Sequence, residues 1–315
     1  MFSTKKILRE IKKYKSKRIF IQIPEGLKTK VLNLAKELEK HNIDVFISIE
    51  PCYGACDLRD AEAKKLGCDT LLHIGHSELP KLKSRIPVIY EDYRIDTDPI
   101  PLLMKNLDKL KPYKTISLVT TLQYIDSLKP AKEFLKSKGK EICIGTPLNA
   151  KYPGQILGCD YSAAKSVEEV TDCFLFLGTG RFHPVGLAMN VKKPVLSLDF
   201  EKNDINDLTN EKEKLQRLRI MHIEEAKKYK NFGILVSTKP GQLNIKTAES
   251  IKKKLEKLNK NAFILVFDNI ESSKLMGLQI ECLVNCACPR LAEDSEKLGM
   301  TILNPDDVNL LETEL

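Results

Sequence analysis

Residues 18–23 read RIFIQI, residues 44–49 DVFISI, residues 70–74 TLLHI and residues 87–90 PVIY. Helical spacing at 29–41 and 58–66 separates the first three of these apolar runs, the pattern of parallel strands covered on both faces and joined by crossover helices. The same succession returns twice. Residues 114–119 (KTISLV), 141–145 (EICIG), 173–178 (CFLFLG) and 194–199 (PVLSLD) alternate with helices expected at 126–138 and 162–170. Residues 232–237 (FGILVS), 262–267 (AFILVF), 280–285 (IECLVN) and 301–304 (TILN) alternate with a helix at 245–258 and a short one at 272–276. This repetition decides the fold class: α/β, with three similar βαβ domains whose small parallel sheets are expected to form a pseudo-threefold ring. The expected domains are 1–105, 106–222 and 223–315. Linkers are expected near 96–112 and along 201–230, where spaced Leu208, Leu215, Leu218 and Ile223 point to a connecting helix.

The composition agrees with three small cores. The 315 residues are 42% hydrophobic and 30% charged, which excludes a disordered or fibrous chain. Fifty-one Lys and Arg against 43 Asp and Glu give a net charge of +8, interleaved in sign along solvated helix faces such as IKKKLEKLNK. With 6% aromatic residues and no Trp, a dedicated nucleic-acid module is not expected. The opening MFSTKKILREIKKYKSKRIF lacks the apolar core of a signal peptide, and no run later approaches a membrane span. A cytoplasmic protein with no membrane partner is the expectation. There, nine cysteines make a poor disulfide framework and better candidates for metal or cluster ligands.

Right-handed crossovers put the loops that follow the strands along one edge of each sheet, where open α/β sheets build ligand sites. Five cysteines fall in such loops: Cys52 and Cys56, Cys159, Cys286 and Cys288. Cys68, Cys143, Cys173 and Cys282 lie in or beside apolar runs, where a thiol behaves as a small hydrophobe. Neither loop pair has the spacing of a zinc ribbon, and no ferredoxin-like run is present. One cysteine from each repeat would instead provide three thiolates, enough to hold a 4Fe-4S cluster while leaving one iron open to substrate. Spacing alone does not choose between Cys52 and Cys56, or between Cys286 and Cys288. Cys288 follows the third strand of its repeat, at the place read as taken by His76 and His183 in the other two. Those histidines and His73 are candidates for substrate or proton handling, against the plainer reading of polar loop residues. GTGR and PGQ lack the glycine spacing of a dinucleotide or phosphate loop.

The segments EPCYGACDLRDA (50–61), LGCDYSAA (157–164), GTGRFHPVGLA (178–188), STKPGQ (237–242) and ACPRLAEDS (287–295) together resemble the archaeal diphthamide synthesis radical enzymes, the 2-(3-amino-3-carboxypropyl)histidine synthase family. The resemblance runs through all three repeats. It implies that Cys56, Cys159 and Cys288 bind a 4Fe-4S cluster, with Cys52 and Cys286 as neighbouring thiols. It also implies an atypical radical cleavage of S-adenosylmethionine between sulfur and the methionine γ-carbon. The 3-amino-3-carboxypropyl group would then pass to carbon 2 of a histidine of translation elongation factor 2, the first step toward diphthamide. A homodimer and an electron donor are implied as well. Toward such a substrate, Arg290 has the fork to grip a carboxylate, and Gln242 follows the first strand of the third repeat. Arg290 could equally pair with Glu293 or Asp294. Two rivals keep the fold: a quinolinate synthase-like 4Fe-4S dehydratase, disfavoured by the quoted motifs, and a non-catalytic cluster-carrying partner protein.

Overall fold

The computed structural model describes residues 2–294 and 298–312. These divide into two compact units, Met1–Asp207 and Leu208–Leu315. The first unit begins with α1 (Thr4–Tyr14), β1 (Arg18–Gln22), α2 (Val31–Glu39), β2 (Asp44–Ile47), α3 (Asp60–Lys65), β3 (Thr70–Ile74) and β4 (Val88–Glu91). It continues with α4 (Ile100–Lys105), β5 (Thr115–Thr120), α5 (Leu128–Ser137), β6 (Glu141–Cys143), α6 (Ser162–Lys165), β7 (Cys173–Gly178), α7 (Phe182–Asn190), β8 (Val195–Asp199) and β9 (Asp204–Asp207). The second unit contains α8 (Thr209–Ala226), β10 (Asn231–Ser237), α9 (Ile245–Lys257), β11 (Asn261–Phe267), β12 (Cys282–Asn285) and β13 (Thr301–Leu303).

Three sheets result, ordered β2-β1-β3-β4, β6-β5-β7-β8-β9 and β11-β10-β12-β13. Every pairing is parallel except β8 with β9. The apolar runs need cover on both sides because successive side chains point to opposite faces. In the first sheet, Ile19, Ile21, Leu72 and Ile74 pack with Ile7, Ile11, Leu34 and Leu38 of α1 and α2. Phe20 and Leu71 pack on the other face with Leu58 and Ala63. Full burial of side chains of this size contributes about 1.5–3 kcal/mol each.

The repetition reaches single hydrogen bonds. A carboxylate just before the third strand of each sheet accepts two backbone N–H groups at the start of the first strand. Asp69 takes Lys17 and Arg18 at 2.7 and 2.8 Å, Asp172 takes Lys114 and Thr115 at 2.9 and 2.7 Å, and Glu281 takes Lys230 and Asn231 at 2.9 and 2.8 Å. These bonds hold each carboxyl below its ordinary pKa. Two residues before β2, β6 and β11, the chain turns through Asn42, Gly139 and Asn259 at φ 56, 78 and 57°. Asn and Gly suit that left-handed position after a helix.

The structure adds helices, a 3-10 turn and a strand to the sequence reading. Residues expected as a linker near 96–112 carry α4 and a 3-10 turn, Leu107–Leu110, with Leu102, Leu103 and Leu110 buried in the second sheet's core. Helix α7 was not anticipated, nor was α1 as a discrete helix, and β9 adds an antiparallel edge strand within 201–230. The expected connecting helix is present as α8. The helix expected at 162–170 is α6 followed by a 3-10 turn, and that at 272–276 is a single 3-10 turn. Among the described residues, no helix is long and apolar enough to cross a membrane.

Candidate metal centre at the strand ends

The loop after β2 turns at Gly54–Asp57, where Asp57 N–H donates to the Gly54 carbonyl at 3.0 Å. Cys56 is the third residue of that turn and half-buried. Its sulfur would lie 3.2 Å from a Cβ added at Gly54, so glycine gives the thiol its room. After β6 the same device recurs: Leu157 and Asp160 exchange backbone bonds at 2.9 and 3.3 Å, and Cys159 is again the third residue of four. Cys159 is exposed. Gly158 beside it lies against the Phe182 ring, which a Cβ would meet at 2.4 Å. Asp160 then anchors the turn, accepting from Ser162 N–H at 2.9 Å and Asn149 N–H at 3.0 Å.

Within this unit the first two sheets meet near those turns. Gln155 donates from Nε2 to Ser77 Oγ at 3.0 Å, and both residues are buried. Ser77 follows His76 at the end of β3, while Gln155 leads into the Cys159 turn.

A buried polar chain supports the Cys56 loop from β1. Gln22, fully buried, donates from Nε2 to the Asp57 carbonyl and accepts at Oε1 from Arg59 N–H at 3.2 Å. His73 Nδ1 lies 3.3 Å from the same oxygen, and its Nε2 lies 3.0 Å from His76 Nδ1. Burial lowers the pKa of His73 well below the usual range, with His76 adding to it, and burial lowers His76 to about 4. Both rings are therefore neutral at pH 7. Cys52, buried in the same loop, brings its sulfur to within 4.8 Å of a nitrogen on each ring.

In the second unit, the thiol stands after the third strand. Asn285, at the end of β12, donates from Nδ2 to the Cys288 carbonyl at 2.8 Å and accepts from Ala287 N–H at 3.0 Å. Leu291 N–H also donates to that carbonyl, at 3.0 Å, starting the 3-10 segment Pro289–Asp294. Cys288 is half-buried. Cys286, two residues earlier, belongs to the core with Ile234, Val284 and Leu303, and burial pushes its pKa up to about 11. Cys173 and Cys282 are raised to about 12 by burial, and Cys68 is raised for the same reason, as expected of packing thiols.

Strand register decides which positions correspond. Ile19 pairs with Thr70, Ile116 with Cys173 and Phe232 with Cys282. Counting on from those partners, His76, Thr179 and Cys288 are counterparts. The sequence reading gave the second repeat's place to His183, which lies instead on α7. Arg290 is exposed in its 3-10 segment, and the side chains of Glu293 and Asp294 lie outside the described residues. Gln242 is half-buried and closes a turn through its N–H to the Lys239 carbonyl at 2.9 Å. Sequence reasoning passed over Gln22 and Asn285. The available signal was a polar residue at or near the end of each apolar run, RIFIQI and IECLVN.

Comparison with known proteins gives concordant results. A family model described as "Putative diphthamide synthesis protein" matches residues 23–311. The 2-(3-amino-3-carboxypropyl)histidine synthase of Pyrococcus horikoshii is 40% identical over 308 residues, covering 97% of this chain and 88% of that protein. The human 2-(3-amino-3-carboxypropyl)histidine synthase subunit 1 is 30% identical, over 93% of this chain and 67% of its own length. Among solved structures, Dph2 from Pyrococcus horikoshii with a 4Fe-4S cluster superposes with a TM-score of 0.94 at 38% identity, covering 100% of this chain and 93% of that one.

Proposed function

The chain belongs to the diphthamide synthesis family, and from that membership we propose that it is a 2-(3-amino-3-carboxypropyl)histidine synthase. It transfers the 3-amino-3-carboxypropyl group of S-adenosylmethionine to carbon 2 of a histidine of translation elongation factor 2, as the first step of diphthamide formation. The observation that carries this reading is the thiol that each sheet presents beyond its strand ends. Cys56, Cys159 and Cys288 are half-buried or exposed on tight turns, unlike the core thiols. Three loop thiolates suit a 4Fe-4S cluster with one iron left for substrate, and the solved relative carries such a cluster. When bound, the cluster supplies the electron that breaks the bond between sulfur and the γ-carbon. Gln22 holds the Cys56 loop and Asn285 the Cys288 turn, so side-chain hydrogen bonds position both of these ligand loops.

Arg290 is our candidate for the carboxylate of S-adenosylmethionine, and Gln242 for its amino acid or adenine end. We assign a division into 1–105, 106–222 and 223–315, one ligand loop to each. We also propose a homodimer, supported by exposed apolar Phe263 and Val266 on the edge strand β11 (50% and 67% exposed), and an electron donor in the cytoplasm. The relatives' names favour this activity over a quinolinate synthase-like dehydratase or a non-catalytic carrier. The test is anaerobic incubation of the cluster-loaded protein with dithionite, S-adenosylmethionine and elongation factor 2. Methylthioadenosine and a 3-amino-3-carboxypropyl adduct on one histidine are expected. Release of 5′-deoxyadenosine with no adduct would reject the activity.

A further inference from the structure

The Cys52, His73 and His76 group includes none of the three cysteines assigned to the cluster, and its internal hydrogen bonding fixes its chemistry. The Gln22 amide has one workable orientation. Its Nε2 must face the Asp57 carbonyl, which only accepts, and its Oε1 must face Arg59 N–H, which only donates. The ring nitrogen of His73 at 3.3 Å from that oxygen therefore carries the proton, and Nε2 of His73 presents a lone pair. His76 Nδ1, 3.0 Å away, donates to that lone pair. An imidazole whose outer N–H is held by a fixed acceptor while its other nitrogen faces a second imidazole and a thiol is arranged as a metal ligand.

We propose that Cys52, His73 and His76 bind one divalent ion of the zinc class, separately from the cluster. Metal–ligand bonds of about 2.0–2.3 Å in a tetrahedral site separate ligand atoms by roughly 3.3–3.6 Å. The three atoms already lie within 4.8 Å of one another, so side-chain adjustments of about an ångström complete the shell. On binding, the Cys52 thiol releases its proton to solvent and the His76 proton shifts from Nδ1 to Nε2. One thiolate and two neutral imidazoles then face the ion, and the fourth position is left to water. One thiolate with two imidazoles suits Zn²⁺ or its spectroscopic substitute Co²⁺. The ion would tie the loop after β2 to the end of β3, four residues before Cys56, and so brace that cluster loop.

The test is titration of Co²⁺ into cluster-loaded protein, with iron measured in parallel. One cobalt per chain is expected, with a thiolate-to-cobalt charge-transfer band and unchanged iron. Cys52→Ala should abolish the band, and His76→Ala, at a half-buried position, should weaken cobalt binding at least tenfold, both with full iron content. Failure of the wild-type protein to retain cobalt overturns the proposal, as does an undiminished band in Cys52→Ala. Loss of iron in Cys52→Ala also overturns it, because the site would then not be separate. If Cys52→Ala does not fold, unchanged cobalt affinity in His76→Ala rejects the site by itself.

Discussion

The first and third sheets share a strand order, a carboxylate brace and a left-handed turn, yet they place their chemistry after different strands. In the first sheet the thiols follow β2, and the end of β3 carries two histidines. In the third sheet the sequence DNI follows β11, and the thiols follow β12. The supports differ accordingly. Gln22 reaches across from the neighbouring strand to hold the Cys56 loop, whereas Asn285 holds Cys288 from three residues away. At the counterpart of Gln22, the third sheet has the buried Leu235. The fold therefore sets loops beyond the strand ends of each sheet, and the first and third sheets carry their thiols there on different loops.

The most severe way to break this comparison is to remove an edge thiol. Cys159→Ala, at the tip of an exposed turn, should abolish methylthioadenosine formation under dithionite while leaving the melting temperature near wild type. Chromatography of single-turnover products checks this. The next largest effect concerns the two supports. Gln22→Leu leaves the Asp57 carbonyl, Arg59 N–H and His73 Nδ1 without their partner, for an expected loss of about 3 kcal/mol in denaturant unfolding. Asn285→Leu removes two bonds, to the Ala287 N–H and the Cys288 carbonyl, and should cost less, about 1–2 kcal/mol. Equal losses would show that the two supports are not different in kind.

The strands were legible because fully covered parallel strands are continuous apolar runs, and a period that occurs three times leaves little freedom in the topology. The elements that escaped lack that signature. Helix α7 contains Pro184 and Gly186, and Gly186 is there because a Cβ would meet the Tyr161 hydroxyl at 2.0 Å. Strand β9, DIND, is polar and lies on a sheet edge. The loop thiols were legible one by one, but the Gln22–His73 contact joins residues 51 positions apart, and local spacing does not reveal such a contact. The misplaced counterpart of Cys288 has the same cause, since only strand register identifies Thr179.

A smaller effect tests the shared braces. The carboxyls of Asp69, Asp172 and Glu281 have folded pKa values below their unfolded ones, so their contribution is complete above the unfolded value and is lost as pH falls through and below about 4. Asp172→Ala should melt slightly below wild type at pH 7, with the gap closing near pH 3 in thermal scans. A gap independent of pH would assign the brace to packing instead of charge.

The central claim is that accessible edge thiols bind the cluster and buried ones do not, and Cys286 and Cys288 test it two residues apart. Iron and sulfide analysis of Cys286→Ala and Cys288→Ala, with EPR of the reduced proteins, is the direct measurement. The account predicts full cluster content in Cys286→Ala, and a degraded or absent cluster in Cys288→Ala. A full cluster in Cys288→Ala, or its loss in Cys286→Ala, would contradict it.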